Sequence, residues 1–355
     1  MKNIQQFLLF TFCSSLLLFT ACKSQKQVNF IQLSEQHKVI FLDSVKASQA
    51  IVLDEREGFF DKITVIDMSI QMKKIPAAHA TRAEVLAEYK DYIQKDVLSF
   101  TDSEKEMITR IMKRMYTQCS KLSSNLVLPE IRLIKTHAKH YGTAVYYTRD
   151  NIIVIPKYVL QTPDEEAFYS TMLHELFHIY SRYNPKKQDA LYELIGFKRI
   201  DHPEHLSFDE TLKNKMLTNP DGVNIGFAIK LKQEDGPSTL AIPVLFSKKD
   251  QFDPSVTDFF DYVDFALYEV KPPLSRMLKV LSDNDGKSTI SKELMADFFR
   301  QIKDNTNYII HPDEVMADNF MFAILSMESP KYLDRFSDEG KALISKIKEV
   351  LISGE

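Results

Sequence analysis

Apolar and polar positions recur along this chain with two periods, and the switches between them mark its elements. Residues 83–98 space apolar side chains as on one helix face, with charge between them. Thr101-Asp102-Ser103-Glu104 is a capping box. The threonine side chain and the glutamate three residues on satisfy each other's backbone N–H groups, so a helix is expected from there to about Leu122. The period then falls to two. Residues 130–136 read as a strand, and 143–148 with 151–155 as a hairpin around Arg149-Asp150. Thr162-Pro163-Asp164-Glu165 reads as a second capping box, with Pro163 expected at the first helical position. The helix it opens should run to about Tyr183, where Asn184-Pro185 stops it.

Beyond lie a mixed stretch (about 186–222), an apparent hairpin of residues 223–232 and 239–246, and helical patterns from Val256 to the end. Asp283-Asn284-Asp285-Gly286 resembles a calcium loop, but no acidic residue falls at the twelfth position, so it reads as a turn. The fold class expected is α+β, mostly helical, with a small antiparallel sheet before the 165–183 helix and a long insert, about 186–310, after it.

The first residues follow a different logic. Met1-Lys2-Asn3 is a short basic start, and residues 7–20 are a compact apolar run. That run is shorter than the roughly 20 apolar residues a membrane-spanning helix needs, so it reads as an export signal. Leu18-Phe19-Thr20-Ala21-Cys22 resembles a bacterial lipobox, with Phe19 where leucine is commoner. The resemblance implies cleavage before Cys22 and lipidation of that cysteine. The expected organisation is a signal over 1–21, a polar tether over 22–29, an N-terminal helical region over 30–100 and the main domain over 101–355. Lys23 stands where some bacteria read an inner-membrane retention aspartate, which points to the outer membrane.

This changes how composition is read. Of three cysteines, Cys13 leaves with the signal and Cys22 takes lipid. Cys119 then has no partner for a disulfide and is expected as a small buried apolar residue. The net charge of −4 over 355 residues gives no basic footprint for nucleic acid and no polybasic patch for a membrane surface, leaving lipid as the attachment.

The chemistry sits in the capped helix. His174-Glu175-Leu176-Phe177-His178 puts two imidazoles four residues apart, on one helix face, where both can hold one zinc ion. Glu175 is turned about 100° from His174, placed to take a proton from an attacking water. Catalytic zinc takes three protein ligands and keeps one position open. Candidates for the third ligand are Glu193, fifteen residues past His178, His202 and His205 in a polar stretch, and Glu314. His311-Pro312-Asp313-Glu314 opens another helix, on which Glu314 and Asp318 share a face. Glu314 can ligate the zinc, Asp318 can accept a hydrogen bond that orients a ligand imidazole, and small Ala317 lets the two helices approach. No G-x-S-x-G motif supports a serine nucleophile.

HExxH followed by Glu314-Val315-Met316-Ala317-Asp318 resembles the gluzincin metallopeptidases, in particular the neprilysin-like and Ste24-like groups. The resemblance implies a zincin-like core with His174, His178 and Glu314 as ligands, Glu175 as general base and Asp318 as the residue orienting a ligand histidine. It also implies an edge strand, here 143–148 or 151–155, that pairs with extended peptide. The expected activity is zinc-dependent hydrolysis of a peptide or protein substrate by a lipid-anchored protein of the cell envelope. Tyr308, His311, His202 and His205 are candidate donors to the oxyanion. The alternative is a lipid-anchored binding protein with a structural or vestigial zinc site.

Overall fold

The computed structural model describes residues 29–234, 236–271 and 277–353. The export signal, Cys22 and nearly all of the tether lie outside the described residues. No helix among the described residues is long and apolar enough to cross a membrane.

The chain is a mixture of helices and two six-stranded sheets, an α+β fold. The first sheet collects β1 (Phe30–Gln32), β2 (Lys38–Phe41), β3 (Val97–Leu98), β4 (Glu130–Thr136), β5 (Tyr147–Arg149) and β6 (Ile152–Pro156). Its order is β1-β2-β4-β6-β5, with β3 also pairing β4. The helices between these strands are α1 (Ser44–Ala50), α2 (Phe59–Lys62), α3 (Val65–Met72), α4 (Arg82–Gln94) and α5 (Asp102–Leu122). The capping box expected at Thr101 is present in full, with Thr101 and Glu104 bonding each other's main-chain N–H groups.

The expectation of an antiparallel sheet is corrected. β2–β4 and β4–β6 run parallel, while β1–β2, β3–β4 and β5–β6 run antiparallel. Residues 30–100 are likewise not helices alone, since they supply three strands to this sheet. Parallel strands need helices on both faces, and these have them. Ile131, Leu133, Ile153 and Ile155 face the main core with α5. Ile134, Ile152 and Val154 face a second core built from Phe59, Met68, Val85 and Tyr89 of α2 to α4. Every residue of β6 is therefore buried.

After the sheet come α6 (Glu165–Tyr183) and α7 (Pro185–Glu193). Then follow β7 (Phe197–Arg199), β8 (Leu206–Ser207), α8 (Glu210–Lys213), β9 (Phe227–Leu231), β10 (Thr239–Ser247), α9 (Phe259–Tyr262), β11 (Val263–Lys271) and β12 (Leu278–Val280). These strands form the second sheet, ordered β7-β9-β10-β11-β12-β8. The 223–246 hairpin is there as β9 and β10, with a later start. β11 replaces the helix expected after Val256: it pairs with β10 over seven residues, and a partner strand overrides local helical spacing. Asp283 accepts from the N–H groups of Asp285 and Lys287, closing the expected turn. The chain ends with α10 (Lys292–Ile302), α11 (Pro312–Glu328) and α12 (Asp338–Ile352). α11 lies against α6, and Ala317 is fully buried.

Candidate metal centre

α6 is buried over most of its length from Phe168 on, and α11 over nearly all of its own, so each polar group on the faces they share needs a partner. Asp164 caps α6, accepting from the N–H groups of Glu166 and Ala167 at 3.1 Å each. Pro163 thus precedes the cap rather than opening the helix, because the carboxylate of Asp164, not the hydroxyl of Thr162, meets the free donors. α11 begins as expected: Pro312 stands in its first turn and the His311 side chain accepts from the Asp313 N–H.

Three side-chain atoms converge between these helices. His174 Nε2 lies 3.0 Å from Glu314 Oε2, and His178 Nε2 lies 3.5 Å from the same oxygen. Ligands about 2 Å from one ion are separated by roughly this much. The opposite ring nitrogens are held by carboxylates: His174 Nδ1 meets Asp318 Oδ1 at 2.8 Å, and His178 Nδ1 meets Asp313 Oδ2 at 2.8 Å. Both rings therefore turn Nε2 toward Glu314, the orientation metal-ligating histidines take. Asp318 accepts in turn from the Thr306 hydroxyl, and Asp313 from the hydroxyls of Ser181 and Tyr192. Asn219 donates to Glu314 Oε1 at 2.7 Å, leaving Oε2 for the imidazoles.

Within this centre two buried atoms have no hydrogen-bond partner, His178 Nε2 and Glu175 Oε2. In a native protein such atoms are uncommon and ask for a ligand. His174, Glu175 and His178 present ligand atoms within 4.8 Å of one another, as do His178, Asp221 and Glu314. Two imidazoles and a carboxylate are a donor set that suits zinc. The residues present therefore fit the ion that the sequence implies.

The electrostatics are lopsided. Burial works against charge on His174, but the bonds to Asp318 and Glu314 prevail and raise it to about 10. Burial also opposes charge on His178, yet the carboxylates of Glu314, Asp221 and Asp313 hold it well above the ordinary imidazole value. Glu314 is driven well below the usual carboxylate range by both histidines, against its burial. Burial, with Asp221 nearby, pushes Glu175 up to about 8, and burial pushes Asp221 up to about 6. So many carboxylates around two rings form an environment that a divalent cation would neutralise.

The centre opens on a cleft of about 360 Å³, whose walls include Thr143, Tyr146, Asp221, Tyr308 and Met321. Tyr308 stacks against His174 with ring centroids 6.0 Å apart. Partial burial and then the carboxylates of Glu314, Asp221 and Glu175 keep its phenol well above its ordinary value, so it remains a neutral donor.

Other expectations fall away. Glu193 is exposed and paired with Lys198 at 3.4 Å, outside the centre. His202 and His205 stack on each other away from the cleft, with His202 bonded to Glu204. His311 is buried as a helix cap, and its ring faces Asn224 and Gly222. A methyl group on Gly222 would stand 2.3 Å from the His311 ring, so only glycine fits there.

The peptide-pairing edge also changes. Residues 151–155 belong to β6, which is covered on both sides by β4 and β5. β5 is the edge, but its Thr148 N–H and hydroxyl both donate to Asp221 Oδ1, at 2.5 and 2.8 Å. Residues 143–146 line the cleft outside any strand.

Sequence reasoning missed Asp313, Asn219, Asp221 and Thr148. Asp313 could have been found, since it precedes Glu314 in the same first helical turn. Asn219-Pro220-Asp221-Gly222 carries only the composition of a turn. No family model matches this chain, and neither a curated protein nor a solved structure matches it.

Proposed function

We propose that this chain is a zinc metallopeptidase of the gluzincin kind with a zincin-like core, hydrolysing peptide bonds as an exported protein anchored to the cell envelope by lipid on Cys22. The observation that carries the reading is the convergence of His174 Nε2 and His178 Nε2 on Glu314 Oε2, at 3.0 and 3.5 Å, with a carboxylate behind each ring. The anchor rests on the lipobox-like sequence at residues 18–22.

His174, His178 and Glu314 would hold the ion, and Asp318 and Asp313 fix their rings. Zinc in such a site supplies a Lewis acid and makes a water nucleophilic near neutral pH. Glu175, buried with one oxygen free, is placed to accept the proton of the attacking water. The same carboxyl then returns the proton to the leaving amine. Tyr308, at the cleft wall, can donate its hydroxyl to the oxyanion.

The test is metal content together with one substitution. Purified protein should carry about one zinc per chain. Glu175→Gln should keep that zinc and lose peptide hydrolysis by roughly 10²–10⁴-fold, the usual weight of a general base. Unchanged turnover in that variant, or a protein that binds no metal, would remove the assignment.

A further inference from the structure

The geometry points to Asp221 as an anchor for the free α-ammonium group of a peptide, making the substrate an unblocked peptide with an apolar first residue that is removed one residue at a time. This rests on the peptidase reading and specifies which peptides that centre takes.

The first ground is that Asp221, a wall residue of the cleft, caps the free edge of β5. An extended chain lying along β5 would need the outward N–H of Thr148. That donor is already taken by Asp221 Oδ1, which also receives the Thr148 hydroxyl. The closure is held firmly. Arg182 donates to the Thr148 hydroxyl and to the Asp221 main-chain carbonyl, at 3.2 Å each. Thr218 donates its N–H to Asp67, and Asn219 donates to Glu314. A substrate chain therefore cannot continue pairing along β5 past Thr148.

The second ground is what the wall presents. Asp221 is buried to 8% exposure, and only its Oδ1 is hydrogen-bonded among the described residues. It forms no ion pair among them. Arg182, the cation that reaches this segment, touches only its main chain and is paired with Glu57. A buried carboxylate that faces a cleft with one oxygen free of hydrogen bonds suits a positive partner. The positive end of a peptide is its ammonium group, and a carboxylate–ammonium hydrogen bond is of the strong, charge-assisted kind.

The third ground is distance. A carboxylate oxygen of Asp221 lies within 4.8 Å of a ring nitrogen of His178 and a carboxylate oxygen of Glu314. Two backbone bonds put an amino nitrogen about 2.5 Å from its own carbonyl carbon, while each further residue adds up to about 3.5 Å. An ammonium held by Asp221 therefore brings the first carbonyl, not a later one, beside Glu175. Hydrolysis there breaks the first C–N bond. The oxygen of one water joins the carbonyl carbon, and its protons pass to the leaving amine and to solvent. Val145, Phe260 and Met321 line the remaining cleft, which suits an apolar first side chain.

The test uses zinc-loaded full chain with leucyl-glycyl-glycine and its N-acetyl form. Binding is measured by calorimetry in Glu175→Gln, and turnover in the unaltered chain. Asp221→Asn keeps an acceptor for Thr148, and its melting temperature and zinc content are recorded beside wild type. The unblocked peptide should bind at least tenfold more tightly than the acetylated one. Asp221→Asn should erase that difference, raising KM roughly 10–100-fold for the unblocked peptide only, with zinc content and melting unchanged. Equal or better binding of the acetylated peptide overturns the anchor even if both are cleaved. Zinc loss in Asp221→Asn overturns it too, making Asp221 a fourth ligand. If neither peptide binds and a denatured protein is also left uncut, the peptidase reading falls with it.

Discussion

Each histidine of the centre is one member of a relay: carboxylate, imidazole, shared Glu314 oxygen. His174 depends on Asp318 and His178 on Asp313 for the tautomer that turns Nε2 inward. Asp318→Asn and Asp313→Asn should each weaken zinc binding 10–100-fold, read by competition with a chromogenic chelator, since such partners carry about that much affinity. Unchanged affinity in both would mean the rings are fixed by packing alone. Tyr308→Phe should lower kcat by roughly 10²-fold with KM nearly unchanged if its hydroxyl serves the oxyanion. A rise in KM alone would make it a wall of the cleft. At this scale HExxH was readable because i, i+4 spacing fixes a shared helix face whatever surrounds it. Cys119 was also readable, as a small apolar position in a helical pattern, and it is a fully buried free thiol. Asp221 and Thr148 were not, because they meet across 73 residues through one side chain.

The elements that build the centre are α6, α11 and the segment from Leu217 to Gly222. The two helices announce themselves by caps and periodicity. The segment has neither; it is held by three side chains from elsewhere, Asp67 of α3, Glu314 of α11 and Arg182 of α6. Asp67 is fully buried, and burial raises its pKa from 3.8 to about 6 despite bonds from Thr218 and Gln71. A carboxyl raised on folding favours the native state when protonated. That contribution is full below about pH 4 and is lost as pH climbs through 6, on the order of 3 kcal/mol in all. Asp67→Asn has no such slope. Its stability relative to wild type should therefore improve by about 2 kcal/mol between pH 4 and pH 7 in denaturant unfolding. A constant difference would show that Asp67 titrates alike in both states.

Over the whole molecule, the centre joins two parts of the chain 140 residues apart, from His174 to Glu314. An ion bound there stabilises the native state alone. At a free concentration a thousand times its Kd it would contribute about 4 kcal/mol. Stripping it with chelator should lower the melting temperature by roughly 10 °C and restoring zinc should reverse this; no change would mean the helices hold their places without it. The first sheet teaches a similar lesson about range. Its strands β4 and β6 were legible as strands, but parallel pairing to β2 was not, because β2 is brought in from about 90 residues upstream by α1 to α5. β11 was misread as helix for the same reason, since its seven pairs with β10 are not visible in its own spacing. What the sequence determined alone was local: the caps at Thr101 and His311, the strand at Glu130–Thr136, the HExxH face and the small Ala317 where helices meet. These follow from torsional preference and from bonds within four residues. Only the tertiary structure decided that Glu314 rather than Glu193 faces the histidines, that Asp313 and Asp318 stand behind them, and that Asp221 closes the edge of β5. Those choices depend on which buried polar group finds a partner, and the partners are supplied by packing between distant segments, where local spacing carries no information.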